Sequence, residues 1–177
     1  MTEEDALIEG LTPLEAQAFH QNGTLRPEIA VRLAMQWMEA GEDYVDVAVL
    51  ATAEEADWAL IRQDFRKSMD AFAIKSLSER TAALVRLRRI LDWLAAKPVR
   101  LKALGPVLVE HFPVSVRQTA SPSALNLNFD LLQQASEDFY DLSFRINRTE
   151  EAMQALINSA LRISEDMKHQ IDGELAS

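Results

Sequence analysis

Apolar residues recur at spacings of three and four along much of this 177-residue chain, and that period is typical of amphipathic helices. The pattern is clearest in three stretches, 27–40, 52–75 and 78–96. Gly41 stands where the first of them should end, and Thr52 where the second should begin. With only five Gly and six Pro in the chain, few turns remain for a sheet of short strands. The sequence therefore predicts an all-α protein.

Shorter helices are expected around these stretches. Residues 3–9 predict a first helix ending at Gly10, and Thr12 is the expected N-cap of a second one that stops at 22–23. Residues 44–51 (YVDVAVLA) also alternate with the period of a strand. Because they lie among helices and have no evident partner strand, a buried helix is the better interpretation.

The pattern changes in the second half of the chain. A helix is expected over 100–112, with Gly105-Pro106 as a kink or break inside it. Residues 113–128 lack a helical period and predict a long loop or linker. Residues 129–177 predict an antiparallel helical hairpin.

The hairpin raises the question of what covers its apolar faces, since two helices cannot bury them alone. Either it packs on a helical bundle core formed by residues 1–112, or it pairs with a second copy as a homodimer. Asn147, with Glu150 three residues later, predicts a capping box at the start of the second arm. The predicted fold is an irregular multi-helix bundle with a C-terminal antiparallel helical hairpin. Its first arm carries the apolar stripe Phe129, Leu132, Ala135, Phe139, Leu142 and Ile146.

Composition narrows the functional classes. The chain has no cysteine, which excludes disulfides, thiolate zinc sites and cysteine nucleophiles. Its N-terminus is acidic where a signal peptide would be basic, and its apolar stretches are shorter than a membrane span. We therefore expect a cytoplasmic protein that does not enter a membrane.

Charge is unevenly distributed along a chain whose net charge is −10. Residues 1–60 hold 13 acidic and two basic side chains, whereas 61–112 hold 11 basic and five acidic ones. Two interpretations stay open. The basic segment docks an acidic partner, or the acidic N-terminal helices pack against it and neutralise it. Nucleic acid is disfavoured as a partner, because the protein is acidic and has no recognition motif.

One helix face in the basic segment is the candidate docking site. Trp93 lies on the side of its helix that carries arginines, away from the leucine stripe, and a tryptophan beside arginines is typical of interface hot spots. Burial of Trp93 under another element is the alternative. The acidic N-terminal helices are a second candidate surface, by analogy with immunity proteins that block nucleases. The predicted partner-binding residues are Arg86, Arg89, Trp93, Lys97 and Arg100.

Motifs for catalysis or cofactor binding are lacking. No serine lies in a Gly-x-Ser-x-Gly turn, and the glycines are too isolated to form a phosphate loop. Glu165 and His169 are spaced as two ligands on one helix, which is too few for a metal site. We assign no catalytic, cofactor or metal residue.

The function expected from the sequence is a non-enzymatic protein-binding protein of the adaptor, chaperone or immunity type. The alternative is a small helical enzyme, or a ligand- or metal-binding protein, that uses carboxylates in a pocket of the bundle.

Overall fold

The computed structural model describes residues 3–54, 58–111, 123–144 and 149–176. Over these ranges it contains nine α-helices and no strand, which confirms the all-α class. A single 3₁₀ turn (Pro98–Arg100) is described before α7. None of the described helices is both long and apolar enough to cross a lipid bilayer. The helices are α1 (Glu3–Ile8), α2 (Pro13–Gln21), α3 (Pro27–Glu39), α4 (Val45–Ala51), α5 (Trp58–Ala71), α6 (Glu79–Ala96), α7 (Leu101–His111), α8 (Ser123–Ser143) and α9 (Glu150–Leu175).

The chain divides into two compact units. The smaller unit is Ile8–Ser78, in which α3, α4 and α5 pack on one another. The larger unit combines Met1–Leu7 with Glu79–Ser177. In the larger unit α8 packs on α7 and on α9, and α9 packs on α6. The basic helix α6 thus shares a unit with the C-terminal helices, whereas the sequence pattern grouped it with residues 1–112. The homodimer through the hairpin stays a prediction.

Thr12 is the N-cap of α2, as expected. The Thr12 hydroxyl accepts a hydrogen bond from the backbone N–H of Glu15 (3.3 Å), and the Glu15 carboxylate accepts one from the Thr12 N–H (2.8 Å). This reciprocal capping box satisfies two donors that the helix itself leaves open. At the other end, Gly23 has a φ of 76°, a conformation that glycine adopts without strain.

Residues 44–51, whose pattern also fits a strand, contain the helix α4, as expected. This helix is buried on one side only. Val47 and Leu50 of α4 are buried, whereas Val45 is exposed. Thr52 does not begin the following helix as predicted. It is the C-cap of α4, where its hydroxyl donates to the carbonyl of Ala48 (3.2 Å). A threonine serves either end of a helix because its hydroxyl both donates and accepts.

Most aromatic residues of the smaller unit are buried or in contact with another ring, whereas Trp58 is exposed. The buried indole of Trp37 donates its N–H to the carbonyl of Leu11 (2.9 Å), and its ring meets Phe72 edge to face at 5.5 Å. Phe65 lies on the apolar stripe of 52–75 and is buried. Trp58, which its spacing assigns to the core, is instead exposed at the beginning of α5. A helical period predicts which face of a helix is apolar, but it does not predict which residues at the helix ends are covered.

Helix α7 runs through Pro106 without a break. A neighbouring side chain completes its hydrogen bonding at this point. The hydroxyl of Ser136 on α8 accepts from the N–H of Gly105 (2.9 Å) and donates to the carbonyl of Leu101 (2.7 Å). Ser136 therefore bridges two backbone groups that a regular helix would join directly. A Cβ at position 105 would lie 3.3 Å from that hydroxyl, so a glycine allows the close approach of α8.

The first helix of the predicted hairpin begins earlier than expected. Helix α8 begins at Ser123, inside the predicted loop 113–128, whose residues 113–122 lie outside the described range. Helix α9 begins after Thr149, whose hydroxyl accepts from the N–H of Ala152 (3.2 Å). Asn147, predicted to cap this helix, lies outside the described residues. The first arm buries four residues of its predicted stripe, which are Phe129, Leu132, Ala135 and Phe139.

Candidate binding surfaces

The predicted docking face on α6 is largely inaccessible. Arg86 and Trp93 are each only 3% exposed. Arg89 is half-buried, and its Nε donates to the carbonyl of Leu7 (3.0 Å) in the same unit. Among the five predicted residues, Lys97 is the one that is exposed. The expectation of a partly exposed tryptophan beside accessible arginines is therefore wrong.

Arg100 and Trp93 form an internal contact. The Arg100 guanidinium stands over the Trp93 ring, 5.0 Å from its centroid, and also donates to the Trp93 carbonyl (2.8 Å). A cation over an indole face is a favourable contact. These two residues, which the sequence places together at an interface, instead hold the 3₁₀ turn against the end of α6.

Helix α9 neutralises much of the basic helix. Arg88 of α6 pairs with Asp172 at 2.9 Å, and Arg80 pairs with Glu174. Lys168 of α9 in turn lies 3.4 Å from Asp92 of α6. Part of the charge of α6 is therefore compensated within the fold, but by carboxylates of the C-terminal helix α9, whereas the expectation named the acidic N-terminal helices.

A buried basic pair lies between α6 and α7. His111, at the end of α7, is buried, and burial together with the nearby charge of Arg86 lowers its pKa to about 4. Burial also lowers the pKa of Arg86, to about 10, against the opposing effect of Glu79. Both shifts follow from the cost of charging a group away from water. At neutral pH the imidazole is uncharged, and the arginine carries the charge.

Several exposed apolar side chains of the larger unit lie on or next to α7 and α8. A groove of about 610 Å³ opens between them, and Gly105, Val109 and Tyr140 are among its lining residues. A second hollow of about 530 Å³, lined by Val99, Tyr140 and Phe144 among others, shares Tyr140 and Lys102 with it. We call the two together the α7–α8 groove.

Two aromatic rings stand at the mouth of the α7–α8 groove. Tyr140 is 53% exposed and Phe144 is 71% exposed, and their ring centroids are 4.9 Å apart. Large exposed apolar groups that adjoin a hollow mark interaction sites more often than scattered single ones do. The sequence pattern missed both residues because they fall outside the stripe that contains Phe139. Their off-stripe position in an otherwise polar helix face is the signal that could have revealed them.

The rim of the α7–α8 groove is acidic. Glu110, Glu137 and Asp141 line it, against the single positive charge of Lys102. The apolar interior with a negative rim suits an apolar segment that carries basic residues.

Metal ligation gains no support from the pair noted in the sequence. Glu165 lies 2.6 Å from Lys168, and His169 is exposed. Within the part of the chain that the structure describes, no three metal-ligating side chains come together.

Comparisons with other proteins provide no further assignment. No protein-family model matches the chain, and searches of curated proteins and of solved structures find no significant match.

Proposed function

We propose that this protein binds another protein, and that the α7–α8 groove receives an apolar, basic segment of that partner. The observation that carries the proposal is the exposure of Tyr140 and Phe144 beside the groove. Covering these two rings would remove a large apolar area from water, which is the main source of binding free energy. The groove replaces the Arg/Trp face as the docking site, since Arg86 and Trp93 are buried.

The chemistry of the partner follows from the lining. An amphipathic helix places apolar residues in such a groove at spacings of three and four, with polar residues outside. Lysine or arginine at its flanks would face Glu110, Glu137 and Asp141. Those charge pairs at the rim would raise the association rate and make it sensitive to salt.

The acidic N-terminal helices form a second candidate surface. Val45 and Val49, one turn apart on α4, are exposed, and Asp43 precedes them with an exposed side chain. This surface carries apolar and acidic groups, and Val45 and Val49 line none of the hollows described for the protein. It is therefore the weaker candidate, and a variant of Val45 distinguishes it from the groove.

The remaining parts of the proposal rest on composition. The cysteine-free sequence is compatible with a reducing compartment, and we place the activity in the cytoplasm. The net charge of −10 opposes binding to nucleic acid. A homodimer through the C-terminal helices and an enzymatic role in a carboxylate-lined pocket are the alternatives.

A selection from a random-peptide phage library tests the groove. We expect the recovered peptides to combine aromatic or large aliphatic residues with lysine or arginine. Their binding should weaken about tenfold or more in Tyr140→Ser, because a hot-spot aromatic contributes on that scale. Leu131→Ser is the matched control, since Leu131 is exposed on the same helix and does not line the groove.

Two outcomes would overturn the assignment to the groove. Peptides that bind Tyr140→Ser as well as they bind the natural protein would place the contact elsewhere. Loss of binding in Val45→Ser instead would move it to the N-terminal surface.

A further inference from the structure

The smaller unit contains a cavity of its own, of about 580 Å³, between α2 and α5. This volume is in the range of small-molecule sites. Leu25, Met69 and Ile74 supply the apolar part of its lining. The polar part consists of Gln17, His20, Gln21, Arg62, Arg66, Asp70 and Ser76.

Two arginines give the cavity its charge. Arg62 and Arg66 are four residues apart on α5, so their side chains lie on one face of the helix. Neither makes an ion pair with a carboxylate in the part of the chain that the structure describes. Asp70 is the carboxylate that lines the cavity with them. The lining therefore carries an excess of positive charge within a unit whose sequence is acidic.

The positive charge of the two arginines affects the pKa of His20. Its ring lies 4.6 Å from the ring of Phe65, and it is half-buried. Burial first, and then the charges of Arg66 and Arg62, lower its pKa below the ordinary value of 6.5. At neutral pH it is thus an uncharged hydrogen-bonding group that faces two guanidinium groups.

Side-chain hydrogen bonds of Gln21 hold one wall of the cavity against α2. Its side-chain amide donates to the carbonyl of Leu77 (3.0 Å) and its side-chain carbonyl accepts from the N–H of Leu77 (2.9 Å). The same amide lies 3.3 Å from the hydroxyl of Ser76. This two-point clamp fixes residues 76–77 against α2, so that a ligand meets a preorganised wall.

We propose that this cavity binds a small organic anion, with its phosphate or carboxylate group between Arg62 and Arg66 and an apolar body against Leu25 and Met69. A guanidinium matches both oxyanions because its planar N–H groups form paired hydrogen bonds to two oxygens. The cavity is much larger than an inorganic ion, and its apolar lining favours a ligand with a hydrocarbon part. This site is independent of the α7–α8 groove, which belongs to the other unit.

Calorimetric titration with phenyl phosphate, benzoate and benzyl alcohol tests the proposal. We expect one or both anions to bind and the neutral alcohol to bind at least tenfold more weakly. The tighter of the two anions identifies the head group. The double variant R62Q/R66Q should weaken the anion about tenfold or more, since hydrogen bonds to charged groups contribute on that scale. R32Q is the matched control, an exposed arginine of α3 that does not line the cavity.

The NMR titration of His20 gives a second readout, on the natural protein. Whichever anion binds more tightly should raise the pKa of His20, because its charge offsets those of the two arginines. R62Q/R66Q should raise it without ligand, since the same charges are then removed and Asp70 stays. No binding of either anion at about 10 mM, equal binding of benzyl alcohol, or a His20 pKa left unchanged by saturation with the tighter anion would each overturn the proposal.

Discussion

Lowering the pH should destabilise this protein through His111. The side chain is 1% exposed, and burial together with the charge of Arg86 lowers its pKa from the ordinary 6.5 to about 4. In the unfolded chain it binds a proton below about pH 6.5, whereas in the folded protein it does so only near pH 4. Between these values unfolding takes up a proton, so the free energy of unfolding falls as the pH falls.

The size of the effect follows from the two pKa values. Each pKa unit corresponds to about 1.4 kcal/mol, so His111 should remove about 2 to 3 kcal/mol of stability between about pH 7 and pH 4.5. That is a large part of the stability of an ordinary domain. The loss should be nearly complete at about pH 4 and absent above about pH 7.

Urea unfolding followed by circular dichroism at about pH 7 and about pH 4.5 measures this loss of stability. His111→Gln should be less stable than the natural protein at neutral pH but should lose about 2 kcal/mol less on acidification, because glutamine has no proton to bind. His169→Gln, which alters an exposed histidine, should lose as much stability on acidification as the natural protein does. Equal losses in the natural protein and in His111→Gln would refute the reasoning.

Two further substitutions test local contacts by the same unfolding measurement. Ser136→Ala should lower the free energy of unfolding by about 1 to 3 kcal/mol, because the Leu101 carbonyl and the Gly105 N–H lose their buried bridge; an unchanged stability would mean that α7 closes the gap itself. Thr12→Ala should cost about 1 kcal/mol while Thr12→Ser stays close to the natural protein, because only alanine removes the hydroxyl that accepts from Glu15; equal values for the two would contradict the capping role.

The helices were predictable because their signals are local. A capping box at Thr12 and a glycine at position 23 involve residues that are close in sequence, and the apolar stripe of α3 has a single period. Thr52 shows the limit of such signals. The same residue type is favoured at both ends of a helix, and only the surrounding chain decides which end it serves.

The candidate site was not predictable, because burial depends on more than one neighbour. Helix α6 buries residues around more of its circumference than its leucine stripe indicates, so Arg86 and Trp93 are inaccessible. A helical period identifies the strongest apolar face but does not count how many elements cover the helix. Tyr140 shows the converse case, since an aromatic ring off the stripe stays exposed when no element of the described chain covers it.

The cavity of the smaller unit needed tertiary structure for a different reason. The spacing of Arg62 and Arg66 places them on one face of α5, which the sequence reveals. That His20 of α2 faces them does not follow from any local pattern. Sites formed by two helices that are distant in sequence become visible only when both helices are placed.

The most direct test of the central claim is the affinity of a selected apolar, basic peptide, measured by calorimetry at low and at high salt. We predict that Tyr140→Ser weakens it about tenfold or more, that Leu131→Ser leaves it unchanged, and that salt weakens it through the acidic rim. A peptide that binds Tyr140→Ser with the affinity of the natural protein would contradict the assignment of the α7–α8 groove as the docking site.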